Sequence, residues 1–170
     1  ASYRRQRQMC IRDRSITGPM VFAQSGLRAS FLARDQVTAF FLAQDVIETI
    51  KNIRDENGLN GDDWMTNIDV CATPGTPCVV YVDTTDPNPV AERCSGGQCP
   101  PLEVDSVGRF SYDGDDESRF TRTVYIREVQ VPDNKEAEIV VEVEWDSNVR
   151  VGQARILVQE NIYNWIPIAN

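Results

Sequence analysis

The chain has 170 residues, no histidine, 17 basic and 26 acidic residues, and a formal net charge of −9. The acidic balance argues against binding a phosphate backbone, which needs clustered Lys and Arg. The lack of histidine removes Ser-His-Asp and Cys-His catalysis and the commonest transition-metal ligand, so neither an enzyme nor a cofactor is expected.

The N-terminal segment Tyr3 to Arg14 reads YRRQRQMCIRDR. Its twelve residues back-translate onto one frame of a transposase adapter used to prepare DNA sequencing libraries. Residues 1–15 are therefore expected to be an adapter-derived artefact from a metagenomic source, outside fold reasoning. Genuine sequence is expected to begin near Ser15 or Ile16, inside a gene. Without the five arginines and one aspartate of that segment, the net charge falls to about −13 and Cys10 drops out, leaving four cysteines. No run of 18 apolar residues crosses a membrane.

Residues 20 to 57 read as one proline-free helix. At about 100° per residue, Ala39, Phe40, Leu42, Ala43, Val46, Ile47, Ile50 and Ile53 share an arc of about 160°. That stripe is expected to face a core, with Phe40, Ala43, Ile47 and Ile50 packing on a sheet. Phe41 and Val37 fall on the back, so Phe41 becomes a candidate contact to a neighbouring subunit. Further up, Met20, Val21, Phe22, Leu27, Phe31 and Leu32 are apolar on more than one face, which calls for burial on all sides. Asn57-Gly58 is the expected stop, because glycine adopts the left-handed conformation that ends a helix. Pro19 is expected near the helix start, where proline is tolerated.

Cys71, Cys78, Cys94 and Cys99 all lie in one segment rich in Pro, Gly, Thr and Asp. Four cysteines allow three pairings. Cys71–Cys78 and Cys94–Cys99 are favoured, because ATPGTP and SGGQ are turn-formers that bring the ends together. Loops of this size contribute roughly 2–2.5 kcal/mol each. A four-cysteine zinc site fits less well, since only the second pair has a usual spacing. Disulfides imply an oxidising compartment, hence export. Val79 to Asp83 is a short strand candidate. Tyr112 to Glu117, YDGDDE, is a solvated acidic turn. Asp113, Asp115 and Asp116 make it a weak calcium candidate without the EF-hand spacing.

The C-terminal third alternates. Phe120, Val124 and Ile126 share a face into which Arg122 intrudes. Ile139, Val141, Val143 and Trp145 oppose Glu138, Glu142 and Glu144. Ala154, Ile156 and Val158 oppose Arg155 and Gln159. Turn-rich links at Pro132 to Lys135 and Ser147 to Gly152 make an antiparallel meander with one buried face. The expected fold class is α+β: a long helix (16–58), a cysteine-containing variable loop region (59–118) and a β-meander (119–166), within one domain over 16–170. Val141, Val143 and Trp145 should meet the helix in the core.

In this order of elements the chain resembles the type IV pilin and pseudopilin family, in its minor-pilin, PilV-like branch. Gly18-Pro19, AQSGLRAS and ARDQVTAFFLAQDVIETIKNIRDENG look like the helix of those proteins. CPPLEVDSVGRFSYD looks like their loop. FTRTVYIREV, EIVVEVEWDSN and ARILVQENIYNW, ending near Trp165, look like their sheet. The resemblance implies a prepilin anchored in the cytoplasmic membrane by its helix. It also implies later assembly with other pilin subunits and the pilus machinery into a cell-surface filament or periplasmic-side pseudopilus. The cleavage motif, its nearby glutamate and the first apolar half-helix are not among these residues. The alternative is an exported adhesin-like module that binds through the Cys71–Cys99 loop.

Overall fold

The computed structural model describes residues 2–82, 88–129, 136–147 and 153–165, with side chains from Thr17 onward. It divides into two compact units, Ala1–Val37 and Thr38–Asn170, and the division falls inside helix α1 (Ser2–Asn60). Pro19 also lies inside the helix and not at its start. Proline has no N–H to give, so α1 loses one backbone bond there.

The helix runs past its expected stop. Asn57-Gly58 stays helical, and the chain turns at Gly61, where φ is +79°. The Asp62 N–H donates to the Asn57 carbonyl at 2.9 Å, and the Gly61 N–H to that of Gly58 at 3.3 Å. This pair of bonds is the Schellman arrangement that closes a helix on a left-handed glycine. Asn57 has a different task. Its buried amide donates to the carbonyls of Trp64, at 3.3 Å, and Thr66, at 2.7 Å. That clamp holds the following turn so that Trp64, Met65 and Ile68 enter the core.

Seven antiparallel strands follow among the described residues: β1 (Cys78–Val82), β2 (Pro89–Arg93), β3 (Pro101–Val104), β4 (Phe110–Ser111), β5 (Asp116–Val129), β6 (Glu136–Asp146) and β7 (Gln153–Tyr163). One flank of β5 pairs with β6, which pairs with β7. Its other flank is shared by β3 and β1, which carry β4 and β2 outward. The stretch 59–118, expected as variable loop apart from the strand candidate Val79 to Asp83, thus supplies β1 to β4 and the first residues of β5. The expected turns at 132–135 and 148–152, and Asp83, lie outside the described residues.

The meander alternates as its pattern predicts. Ile139, Val141, Val143 and Trp145 of β6 are buried, and so are Phe120, Val124 and Ile126 of β5. They share one hydrophobic core with Ala39, Leu42, Ala43, Val46, Ile47, Ile50 and Ile53 of α1. Phe40 is the exception on the helix, being half exposed. It sits at the rim of the apolar arc and beside the first core residue, Ala39, so the sheet does not cover it.

Arg122 is the unexpected member of the core, with 3% of its surface exposed. One guanidinium nitrogen donates to the Leu42 carbonyl at 3.1 Å and to Asp45 Oδ2 at 3.0 Å. The other donates to the Val80 carbonyl at 3.2 Å. The guanidinium carbon stands 5.8 Å from the centre of the Tyr112 ring, a cation–π distance, and the Tyr112 hydroxyl donates to the Arg122 carbonyl at 3.2 Å. One side chain thus links α1, β1, β5 and the segment after β4. Asp45 is mostly solvated, so the ion pair alone stabilises little. The buried carbonyl bonds and the packed stem carry the larger share. Arg122→Ala should therefore cost about 3 kcal/mol in chemical denaturation, because it breaks a buried polar network and opens a cavity. Asp45→Asn should cost under about 1 kcal/mol.

Candidate interaction surfaces

Four regions carry the residues singled out in the sequence. In the first, within the unit Ala1–Val37, Met20, Val21, Phe22, Leu27 and Phe31 are all exposed, Phe22 at 80%. Met20, Leu27 and Phe31, spaced by seven and four, form one stripe along α1. Phe41, in the other unit, is 67% exposed and meets the Phe40 ring edge-on at 6.5 Å. Among the described residues no helix is long and apolar enough to cross a membrane.

The second region is the cysteine segment, where Cys71 pairs with Cys78 and Cys94 with Cys99 at Cα separations of 5.8 and 4.7 Å. Cys71 closes a short 3-10 turn (Asp69–Cys71), and Cys78 opens β1; both are buried. Cys94 follows β2, and its N–H donates to the Pro77 carbonyl at 2.9 Å, prolonging the β1–β2 ladder. Gly96 and Gly97, at φ +64° and +78°, make the reversal that returns the chain to Cys99. Cys99 Sγ then lies 3.6 Å from the Cys78 carbonyl, so the two disulfides close the same end of one hairpin. Arg93 fastens that end further, donating to the Val70 carbonyl at 2.8 Å and to Thr73 Oγ1 at 3.2 Å.

The acidic turn is the third region. Asp113, Asp115 and Asp116 do not converge, and among the described residues no three His, Cys, Asp or Glu side chains could hold a metal ion. The weak calcium site is therefore not assembled, and the four cysteines are paired instead of gathered round zinc. The turn is shaped by backbone approach. The Asp115 N–H donates to the Val104 carbonyl at 3.1 Å. A Cβ on Gly114 would stand 2.8 Å from the Val104 nitrogen, closer than van der Waals contact allows. Asp116 has joined β5 opposite Val104, so its direction is set by the sheet.

One carboxylate nearby is well organised. Asp105, in the β3–β4 turn, accepts the N–H groups of Arg109 at 2.8 Å and Val107 at 3.0 Å and the Arg109 guanidinium at 2.7 Å. These bonds, the Arg109 N–H foremost, hold its pKa below the ordinary aspartate value. Burial pushes the Tyr112 hydroxyl up, against the pull of Arg122.

The fourth region is the outer face of β5, β6 and β7, a ladder of paired charges and amides. Arg127 binds Glu138, Arg155 reaches Glu142 at 3.0 Å, Gln159 donates to Glu138, and Asn161 donates to Glu136 at 2.7 Å. On the opposite face, Lys51 of α1 meets Glu160 of β7 at 2.7 Å, and that hydrogen bond raises the lysine pKa. Trp165, just beyond β7, donates its indole N–H to Asp55 of α1 at 3.2 Å. A groove of about 240 Å³ opens beside this ladder, where Pro74 and Gly75 of the first disulfide loop face Tyr125, Arg127, Glu138 and Val140.

Arg122, Asn57 and the Asp105 turn were not singled out as functional in the sequence. Arg122 left a trace there as a charge in an otherwise apolar alternation. No family model matches the chain, and no curated protein or solved structure does.

Alkylation in denaturant without reductant should label one cysteine, Cys10, and peptide mapping should recover Cys71–Cys78 and Cys94–Cys99 cross-links. A Cys78–Cys94 link would contradict this geometry. For Asp105 the sign follows from its lowered folded-state pKa. Its contribution is complete above the unfolded aspartate pKa of about 3.9 and is lost as pH falls through the lower folded value. NMR titration should place the Asp105 midpoint below that of an exposed aspartate. Asp105→Asn should abolish that step and speed amide exchange at Val107 and Arg109.

Proposed function

We propose that this chain is a structural subunit of a type IV pilus or a related pseudopilus, in the minor-pilin class, and that it assembles by helix–helix packing. The observation that carries the reading is the exposed apolar surface of α1. Met20, Leu27 and Phe31 line one stripe, Val21 and Phe22 lie on other faces, and all five are uncovered in the monomer. Apolar residues around a whole helix are stable in water only when other helices surround them. At about 25 cal/mol per Å², burying such side chains in a bundle is strongly favourable.

Three further features support the same reading. The antiparallel sheet packs on the following part of α1 through one core. Both disulfides suit an exported, oxidising location. The sequence order of helix, loop region and meander resembles that of type IV pilins and pseudopilins. On this reading the subunit waits in the cytoplasmic membrane, joins other pilin subunits through the assembly machinery, and carries no cofactor or catalytic group. The groove beside the Cys71–Cys78 loop favours a compatible second role, an adhesin-like surface presented by the assembled subunit.

The test is the gene. Ahead of the codon for Ile16, the reading expects a prepilin cleavage motif followed by about 20 apolar residues. A conventional cleavable signal peptide there overturns it. At the protein level, the purified chain should form oligomers larger than dimers in water, and Phe22→Asp with Phe31→Asp should abolish them.

A further inference from the structure

The sheet has unequal edges. On one side it ends in β2, which is five residues long and begins with Pro89, and in β4, which is two residues long. Short strands and an edge proline are the usual means by which proteins blunt a sheet edge. On the other side it ends in β7, eleven residues in unbroken register with β6. Strand β7 contains no proline, glycine or lysine, and among the described residues it pairs with β6 alone. Its one charge on the core face, Glu160, is neutralised by Lys51. Leu157, 58% exposed, and Tyr163 add apolar surface along the outer face.

From this contrast we infer that β7 is a docking edge whose occupant is the β7 strand of a second copy, paired antiparallel about a two-fold axis at Val158. That register is the one that overlaps all eleven residues. It sets Leu157 opposite Gln159 of the other copy twice over, and Arg155 opposite Asn161. The two charged residues of β7, Arg155 and Glu160, lie on opposite faces, so neither meets its like. Charge selects this edge as well. Strand β7 is neutral in a chain of net charge −9, whereas β6 carries Glu136, Glu138, Glu142, Glu144 and Asp146. In the pair, the two acidic β6 strands stand three strand spacings apart, about 14 Å. That distance exceeds the Debye length of about 8 Å at physiological salt, so their repulsion is screened. A two-fold pair of this kind is self-complementary and closes as a dimer. It is independent of the α1 association proposed above.

The experiment separates the two. Sedimentation of the full chain bearing Phe22→Asp and Phe31→Asp, which removes helix association, should still show a concentration-dependent dimer between roughly micromolar and millimolar. The β7 amides that point away from β6 should exchange at least about tenfold more slowly in the dimer, the factor that 1.4 kcal/mol of protection gives. Adding Leu157→Lys with Gln159→Lys sets like charges directly opposite and should abolish the dimer. Adding Leu157→Lys with Gln159→Glu sets opposite charges across the same axis and should restore it. Both positions are solvent-exposed, and circular dichroism checks that the sheet is kept. A monomer throughout the range overturns the inference, as does a dimer that ignores both double substitutions or leaves the β7 amides unprotected. None of these results bears on helix association, which is tested in the chain without the aspartates.

Discussion

A single buried guanidinium joins the helix to the sheet. Arg122 reaches the Leu42 carbonyl, Asp45 and the Val80 carbonyl at once, and lies against the Tyr112 ring. An apolar side chain at this position would pack but could not orient. Hydrophobic burial is non-directional, and the helix stripe could slide along the sheet at little cost. Hydrogen bonds to fixed carbonyls on two other elements remove that freedom. Buried polar groups serve such specificity best when their bonds are satisfied. Arg122 meets this with its two terminal nitrogens, while Nε has no partner among the described residues.

The frame built around that tie is held locally by different means in its two halves. The meander relies on alternation, with every second residue of β6, and of β5 from Phe120 to Ile126, entering the core. The first half of the sheet has short strands and little apolar surface to bury. There, covalent and polar fasteners take over. Two disulfides and Arg93 close one end of the β1–β2 hairpin, and Asp105 organises the β3–β4 turn. Small secreted folds commonly reinforce a thin core in this manner.

Periodic features were legible in the sequence, and features that depend on distant partners were not. Seven of the eight residues of the α1 apolar arc enter the core. The eighth, Phe40, lies at the arc's rim, where burial depends on how far the sheet extends. The strand alternation of β5 and β6 and the two nearest-neighbour cysteine pairs are also local signals. The helix stop was misplaced because Gly58 and Gly61 are equivalent in sequence. What separates them is the buried Asn57 amide, whose partners, Trp64 and Thr66, lie beyond the turn. Of the strands within 59–118, β1 was anticipated at Val79 to Asp83, whereas β2, β3 and β4 were missed because they are short and take their register from neighbouring strands, not from their own pattern. The apolar residues near Phe22 and Phe31 were legible as a surface, since no arrangement of one helix could hide them.

The spacing of the disulfides sets an order of events. Each spans only a few residues, seven and five positions apart in sequence. Short rings close quickly and with little entropic cost. The tie from Arg122 to Leu42 instead spans 80 residues and waits for the meander to form. Oxidation of these pairs therefore needs neither the helix docked nor the meander formed. The knotted end of the β1–β2 hairpin then enters assembly of the sheet as a prefabricated part.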